Sequence, residues 1–267
     1  MALIDIGANL AHDGFDDDRE AVMARAEAAG VTHCVVTGSD RESNARASAL
    51  AEADPQHLSA TAGLHPHHAE DWNTEIAAEM RDLAARNRLV AIGETGLDYF
   101  RDISPRDVQK RVFAEQLAMA VDTGLPMFLH QREAHDDFHA ILAEHLPDLS
   151  RAVVHCFTDS AAALDDYLAL GCHIGITGWI CDERRGRALF DAVPAIPDDR
   201  LLIETDCPYL LPRTIRPKPR SRRNEPAYLP WVRDRVADAR NQAPEHVEHV
   251  TQANAARFFA LPDRLVS

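Results

Sequence analysis

Eight short apolar runs rich in valine, isoleucine and leucine recur along the chain, with helix-patterned stretches between them. The runs are Leu3–Ile6, His33–Thr37, Leu58–Gly63, Leu89–Gly93, Pro126–Leu129, Ala152–Val154, His173–Thr177 and Leu201–Ile203. Between them, REAVMARAEAAG (19–30), EIAAEMRDLAARN (75–87) and PRDVQKRVFAEQLAMAVDTG (105–124) carry helical spacing, and Gly30 and Gly124 stand where helix C-caps belong. Parallel strands need a crossover of a dozen or more residues, which a helix supplies. Strict alternation of eight such units predicts an α/β fold, a TIM (β/α)8 barrel. A doubly wound open sheet is the alternative. No GxGxxG follows the first run, so a dinucleotide-binding form of it has little support. After the last run come a Pro- and Arg-rich loop and two helices, near 226–240 and 245–259.

The 267 residues suit one barrel domain over 1–267, with no repeat, linker or low-complexity tract. A hydrophobic content of 46% supports a substantial core. No stretch approaches the ~18 consecutive apolar residues of a membrane span, and MALIDIGANLAHDG lacks the form of a signal peptide. A cytoplasmic protein is expected. The five cysteines (34, 156, 172, 181, 207) form no CxxC pair and read as small buried hydrophobes in a reducing compartment.

A net charge of −15, with only two lysines (Lys110 and Lys218), excludes a protein that coats nucleic acid by bulk charge. Any polyanionic substrate needs local help from metal ions or basic residues. RTIRPKPRSRR (213–223) supplies six positive charges in eleven positions.

What ends each run narrows the chemistry. Asp5-Ile6-Gly7-Ala8-Asn9 lies at the end of the first, and GLHPHH follows the third with His65, His67 and His68. The fourth stops at Gly93 before Glu94, the fifth is followed by His130, the sixth by His155, and the eighth by Glu204-Thr205-Asp206. In a barrel these positions converge on the carboxyl rim, where active sites of this fold sit. Imidazole with carboxylate is a ligand set for Zn²⁺, Mn²⁺ or, with more oxygen, Mg²⁺. Several carboxylates at the mouth of a core imply a compensating cation.

Glu94, His130, His155 and Asp206 are therefore the expected metal ligands, with Glu94 placed to bridge two ions. Gly93 and Gly96 would let a metal or phosphate approach the backbone. Glu204 reads as a partner behind the ligands. His65 and His67 contact substrate or hydrogen-bond within their loop, and His68 is solvated. Asp5 and Asn9 lean towards a role in the site. Cys156, next to His155, should point away from the rim. Arg132 and Arg223 are candidate phosphate ligands, although Arg223 could instead pair with Glu225 or another acidic neighbour. Asp182-Glu183-Arg184-Arg185 forms a further rim loop, and Trp179 either stacks on a base or packs.

GLHPH, AIGETGLDY, HCFT, IGITGWICDERRG, LLIETDCPYLLP and RRNEPAYLP together resemble the TatD family of metal-dependent deoxyribonucleases, in order, from residue 3 to about 260. The resemblance implies a TIM barrel of the amidohydrolase-like, metal-dependent hydrolase type. It implies hydrolysis of DNA phosphodiester bonds with a divalent cation, usually Mg²⁺, as a 3′→5′ exonuclease on single strands with a role in DNA repair. The family's bridging glutamate matches Glu94, its metal-binding histidines His130 and His155, its strand-eight aspartate Asp206, and its histidine after strand three His65. Many members carry a His-x-His pair after strand one, where this chain has Asp5 to Asn9. The first metal position then lacks nitrogen ligands, which suits Mg²⁺ better than a two-zinc site. In this reading Asp206 orients or deprotonates the attacking water.

Two other classes compete. A metallo-amidohydrolase opening a small cyclic amide would want a bridging modified lysine at a strand end, and neither lysine lies at one. A non-catalytic nucleic-acid-binding module would not line its face with carboxylates.

Overall fold

The fold is taken from a computed structural model that describes residues 2–86, 89–262 and 265. Every expected run forms a strand: β1 (Leu3–Ala8), β2 (Val31–Val36), β3 (Leu58–Ala62), β4 (Ala91–Asp98), β5 (Met127–Arg132), β6 (Ala152–Val154), β7 (His173–Ile176) and β8 (Leu201–Ile203). They pair in parallel in chain order. The ring is drawn together just beyond β8, where Ala8 bridges Cys207 and the Asp206 N–H donates to the Gly7 carbonyl at 2.8 Å.

Among the described residues seven α-helices occupy the crossovers: α1 (Arg19–Ala28), α2 (Arg41–Ala53), α3 (Thr74–Ala85), α4 (Arg106–Thr123), α5 (His135–His145), α6 (Ala161–Ala169) and α7 (Arg187–Ala192). Two more, α8 (Leu229–Arg240) and α9 (Pro244–Phe258), follow the loop after β8. The helix expected over 75–87 is α3, and Asn87 lies outside the described residues. Gly124 caps α4 in the left-handed conformation. Among the described residues no helix is long and apolar enough to cross a membrane. All five cysteines are free thiols.

Two strands outrun their apolar runs. β4 does not stop at Gly93 but continues through Glu94 to Asp98, and β5 continues through His130 to Arg132. They pair over the added length, Gly96 with His130, Leu97 with Gln131 and Asp98 with Arg132. This overturns the expected purpose of the glycines. Gly93 and Gly96 have φ of +138° and +144°, and a Cβ would lie 2.1 Å from the Phe128 carbonyl oxygen and 1.9 Å from that of His130. They make room for the β5 backbone rather than for a metal or phosphate.

Side chains alternate across each strand, and this alternation builds the interior in layers. Ile4, Ile6, Val35, Ala91, Phe128, Val153 and Leu202 fill the lower interior. The end of α9 packs against that layer with Phe258 and Phe259, plugging the amino end. The other face of the strands packs against the surrounding helices in the larger core cluster. Two residues beyond Phe128, Val153 and Leu202, within β5 and just past the ends of β6 and β8, stand His130, His155 and Glu204.

Candidate active site at the carboxyl end of the barrel

Above the apolar layer opens a cavity of about 1190 Å³, lined by His65, Glu94, His130, His155 and Asp206 among others. Glu94 stands at its centre. One of its oxygens, Oε1, lies 2.9 Å from His155 Nε2, 3.2 Å from His130 Nδ1 and 3.5 Å from His65 Nε2. Burial alone would raise this carboxyl, but His65, His155 and His130 hold it well below the usual carboxylate range.

The histidines answer to different surroundings. Burial depresses His65 well below an ordinary imidazole. Burial acts the same way on His155, but Glu204 and Glu94 outweigh it and raise that ring well above the ordinary value. Glu204 is fully buried behind the site, with Oε2 3.3 Å from His155 Nδ1 and Oε1 accepting the Cys156 N–H at 2.6 Å. Its carboxylate occupies space that side chains at Gly7 or Gly175 would fill: a Cβ there would lie 2.1 and 2.7 Å from its oxygens. Glu204 fixes the ring whose other nitrogen faces Glu94.

Asp206 lines the same cavity and accepts from Asn9 Nδ2 at 3.0 Å. Burial lifts its pKa to about 7, with Glu94 and Glu204 adding to the rise and His155 opposing it. Its φ of +54° belongs to the left-handed region, which a non-glycine residue adopts at a cost of order 1–3 kcal/mol. Asn9 thus meets the site through Asp206. Asp5 does not: strand alternation turns it outward, where Thr205 donates to it through N–H and hydroxyl. Burial raises Asp5 to about 7.

The donors fit a divalent cation. One ligand atom each of His65, Glu94 and His130 lie within 4.8 Å of one another. His130 Nε2 is buried, 3.4 Å from Asp98 Oδ2, yet has no well-formed hydrogen bond among the described residues. Imidazole and carboxylate around an unsatisfied nitrogen suit a first-row divalent ion or Mg²⁺. His65, expected at the substrate, is thus placed among these donors. His67 is held by Asp98, Nε2 to Oδ2 at 2.9 Å. His68 is half exposed beside Asp71.

Sequence reasoning passed over Asp98. It is buried, lines the cavity, and lies next to both His67 and His130. Those contacts and the Arg101 N–H, working against burial, keep its carboxyl far below its ordinary range. The signal was the spacing Glu94, Gly96, Asp98, one face of a strand, legible only if the strand outlasts its apolar run.

Cys156 is the converse case. Strict alternation turns it away from the rim, but its φ of +46° breaks the alternation and it lines the cavity. Its sulfur lies 3.6 Å from Thr177 Oγ1.

The two phosphate candidates separate. Arg132 lines the cavity with its guanidinium 3.8 Å above the Phe100 ring. Arg223 instead forms a fork on Asp18 at 2.6 and 2.8 Å and stacks over Phe15, while Glu225 pairs with Arg25 of α1. Those two ion pairs hold the basic loop to the first βα unit. Within the loop, Arg216, Lys218, Arg220 and Arg222 are exposed. In the rim loop after β7, Asp182 accepts the N–H groups of Arg184 and Arg185 and pairs with Arg185 and Arg213. Trp179 packs against the core, lines the cavity and carries the Arg185 guanidinium 4.5 Å above its ring. Lys110 pairs with Asp137 at 3.3 Å from its place in α4, so it supplies no bridging lysine for the amidohydrolase alternative.

Comparison with known proteins agrees with the barrel fold. The family model for TatD-related DNases matches residues 4–260. A 3′-5′ ssDNA/RNA exonuclease TatD of Pantoea vagans is 49% identical over 97% of this chain and all of its own length. The protein of that name from Dickeya dadantii is 49% identical over 96% of this chain and 97% of its own. Among solved structures, a TatD homologue of Escherichia coli K12 superposes with a TM-score of 0.88 at 30% identity, covering 97% and 98% of the two chains. An uncharacterized amidohydrolase of Saccharomyces cerevisiae, at 23% identity over 97% of this chain and 99% of its own, shares the fold with a TM-score of 0.86.

Proposed function

The chain belongs to the TatD-related DNase family, and from that premise we propose how its rim cleaves DNA. It is a divalent-metal-dependent hydrolase of phosphodiester bonds, reading as a 3′→5′ exonuclease on single-stranded DNA. The observation that carries this is the single Glu94 oxygen facing three imidazoles at the floor of a large open cavity. Glu94, His130, His155 and Asp206 would hold one or two cations, with His65, whose ligand atom lies near those of Glu94 and His130, as a further ligand. When bound, the cation polarises a phosphoryl oxygen and lowers the pKa of water.

The chain's own residues do the rest. Asp206, its carboxyl lifted towards neutrality by burial, orients the attacking water and accepts its proton. Glu204 keeps the His155 ring in one orientation, while Asp98 flanks the His130 ring. Arg132, stacked on Phe100, and Arg101 at the cavity wall give a phosphate backbone its local positive charge. Phe100 and Tyr209, 51% and 54% exposed at the mouth, offer faces on which unpaired bases stack, which favours single strands. We assign Mg²⁺ as the metal, because no His-x-His pair follows β1 and Asn9 and Asp206 supply oxygen there. Clearing damaged 3′ ends would place the enzyme in DNA repair.

A 5′-labelled single-stranded oligonucleotide tests the assignment. Mg²⁺ is expected to give a ladder of 3′-shortened products, and EDTA none. Glu94→Ala is expected to cut the rate by ~10³-fold or more, about 4 kcal/mol of transition-state stabilisation. Undiminished cleavage by Glu94→Ala would remove that residue from the reaction. A preference for Zn²⁺ over Mg²⁺ would overturn the metal assignment.

A further inference from the structure

The amino end of the barrel holds a second cavity, of about 410 Å³, whose chemistry is opposite to that of the rim. The starts of three strands meet there. Arg151 precedes β6, His173 opens β7 and Arg200 precedes β8, while the last turn of α9 closes the wall with Arg257 and Phe258. Three of the chain's 28 lysines and arginines thus line one cavity in a molecule of net charge −15. Asp199 is the only acidic residue among the described lining, and it is committed to Arg200 at 2.9 Å.

Two nitrogens in this wall lack partners. Arg151 Nε and His173 Nδ1 are buried and make no hydrogen bond among the described residues. Buried polar atoms are nearly always paired, so an orphan calls for a missing partner. Five side-chain atoms among the described residues are in this state; one, His130 Nε2, belongs to the metal cluster proposed above, and two belong here. Both are held against one buried ring. His173 meets Phe258 edge-on at 4.9 Å, and the Arg151 guanidinium lies 5.9 Å from the same centroid. Burial, then Arg200, Arg151 and Arg257, pull the His173 imidazole down to about 4 against the smaller opposing effect of Asp199, so the ring is neutral at pH 7 and can present an N–H.

We propose that this cavity binds a phosphate dianion, either inorganic phosphate or the phosphomonoester group of a nucleoside monophosphate. Guanidinium forks match phosphate oxygens two at a time, and Arg151, Arg200 and Arg257 bring three of them to one wall. The volume exceeds what a bare phosphate fills and leaves space for a nucleoside. The nucleotide source rests on the exonuclease reading, since such an enzyme releases that class of product; the inorganic source does not. A bound anion would tie α9, the plug of the barrel, to the starts of β6, β7 and β8.

Calorimetric titration of the full chain in EDTA, which strips the cation that would hold phosphate at the rim, tests this without reading nuclease activity. The titrants are inorganic phosphate, deoxyadenosine monophosphate, adenosine and sulfate. One phosphate-bearing ligand is expected to bind per chain, to raise Tm by several degrees at saturation and to move the His173 ring resonances. Arg200→Gln and Arg257→Gln are each expected to weaken binding ~10-fold or more. Tighter binding of deoxyadenosine monophosphate identifies the nucleotide as ligand, and tighter binding of inorganic phosphate identifies the free anion. Binding of adenosine or sulfate equal to that of the phosphates overturns the proposal, as does binding that both arginine variants retain. If both variants unfold, the wild-type titration decides, because an unmoved His173 ring leaves no phosphate in the cavity.

Discussion

The two ends of this barrel are built from the same strands and do opposite work. At the carboxyl end the inward positions carry Glu94, His130, His155, Glu204 and Asp206, and charge is buried there against the grain of folding. At the amino end the inward positions are Ile4, Val35, Phe128 and Leu202, sealed by Phe258 and Phe259. Successive inward residues along a strand are only about 7 Å apart, so a barrel can change from an apolar plug to an ionic floor within one or two pleats. The difference teaches where stability and chemistry are lodged: below, burial of apolar area; above, carboxylates and imidazoles positioned for a cation. Substitutions at the two ends should therefore separate cleanly.

The largest effect is expected at the plug. Phe258→Ala should cost about 3–5 kcal/mol of unfolding free energy in denaturant melts while leaving turnover per folded molecule near wild type. A large loss of turnover with unchanged stability would break the division.

The amino end should also govern part of the acid response. His173 titrates at about 4 in the fold, against ~6.5 in the unfolded chain. Between those values the unfolded chain takes up a proton that the folded chain refuses. The contribution is therefore fully present above ~6.5 and is lost as pH falls towards 4, by up to ~3 kcal/mol. His173→Phe, which keeps a ring against Phe258, should flatten stability over that window. His65 contributes with the same sign, so the difference between the two proteins is the measurement, and an unchanged pH slope would sink the assignment.

At the rim, Glu204→Gln should lower kcat about 10–100-fold with little change in KM, because Glu204 touches His155 rather than substrate. A rise in KM alone would move Glu204 out of its supporting role. The smallest effect is expected from Arg132→Ala, a several-fold rise in KM for oligonucleotides that shrinks as salt increases.

Much of this was legible before any fold was known. The eight strands, the order of the crossovers and the titratable residues that follow each run are local properties, carried by apolar periodicity and by what interrupts it. Where that signal is weak, the reading stopped short. Glu94 to Asp98 and His130 to Arg132 are too polar to look like strand, and only their mutual pairing makes them one. Asp98 was missed for that reason. Cys156 was misdirected because alternation holds only while φ stays in the extended region.

The sequence by itself determined the barrel, the rim on which chemistry sits and the residue types that would meet there, since each depends on neighbours within a few positions. Only the tertiary structure decided that Gly96 yields to a carbonyl of β5, that Arg223 is bound to Asp18 some 205 positions away, and that three arginines converge beneath the barrel. Those outcomes depend on distances across the ring, and the order of residues along a chain does not specify a distance until the ring has closed.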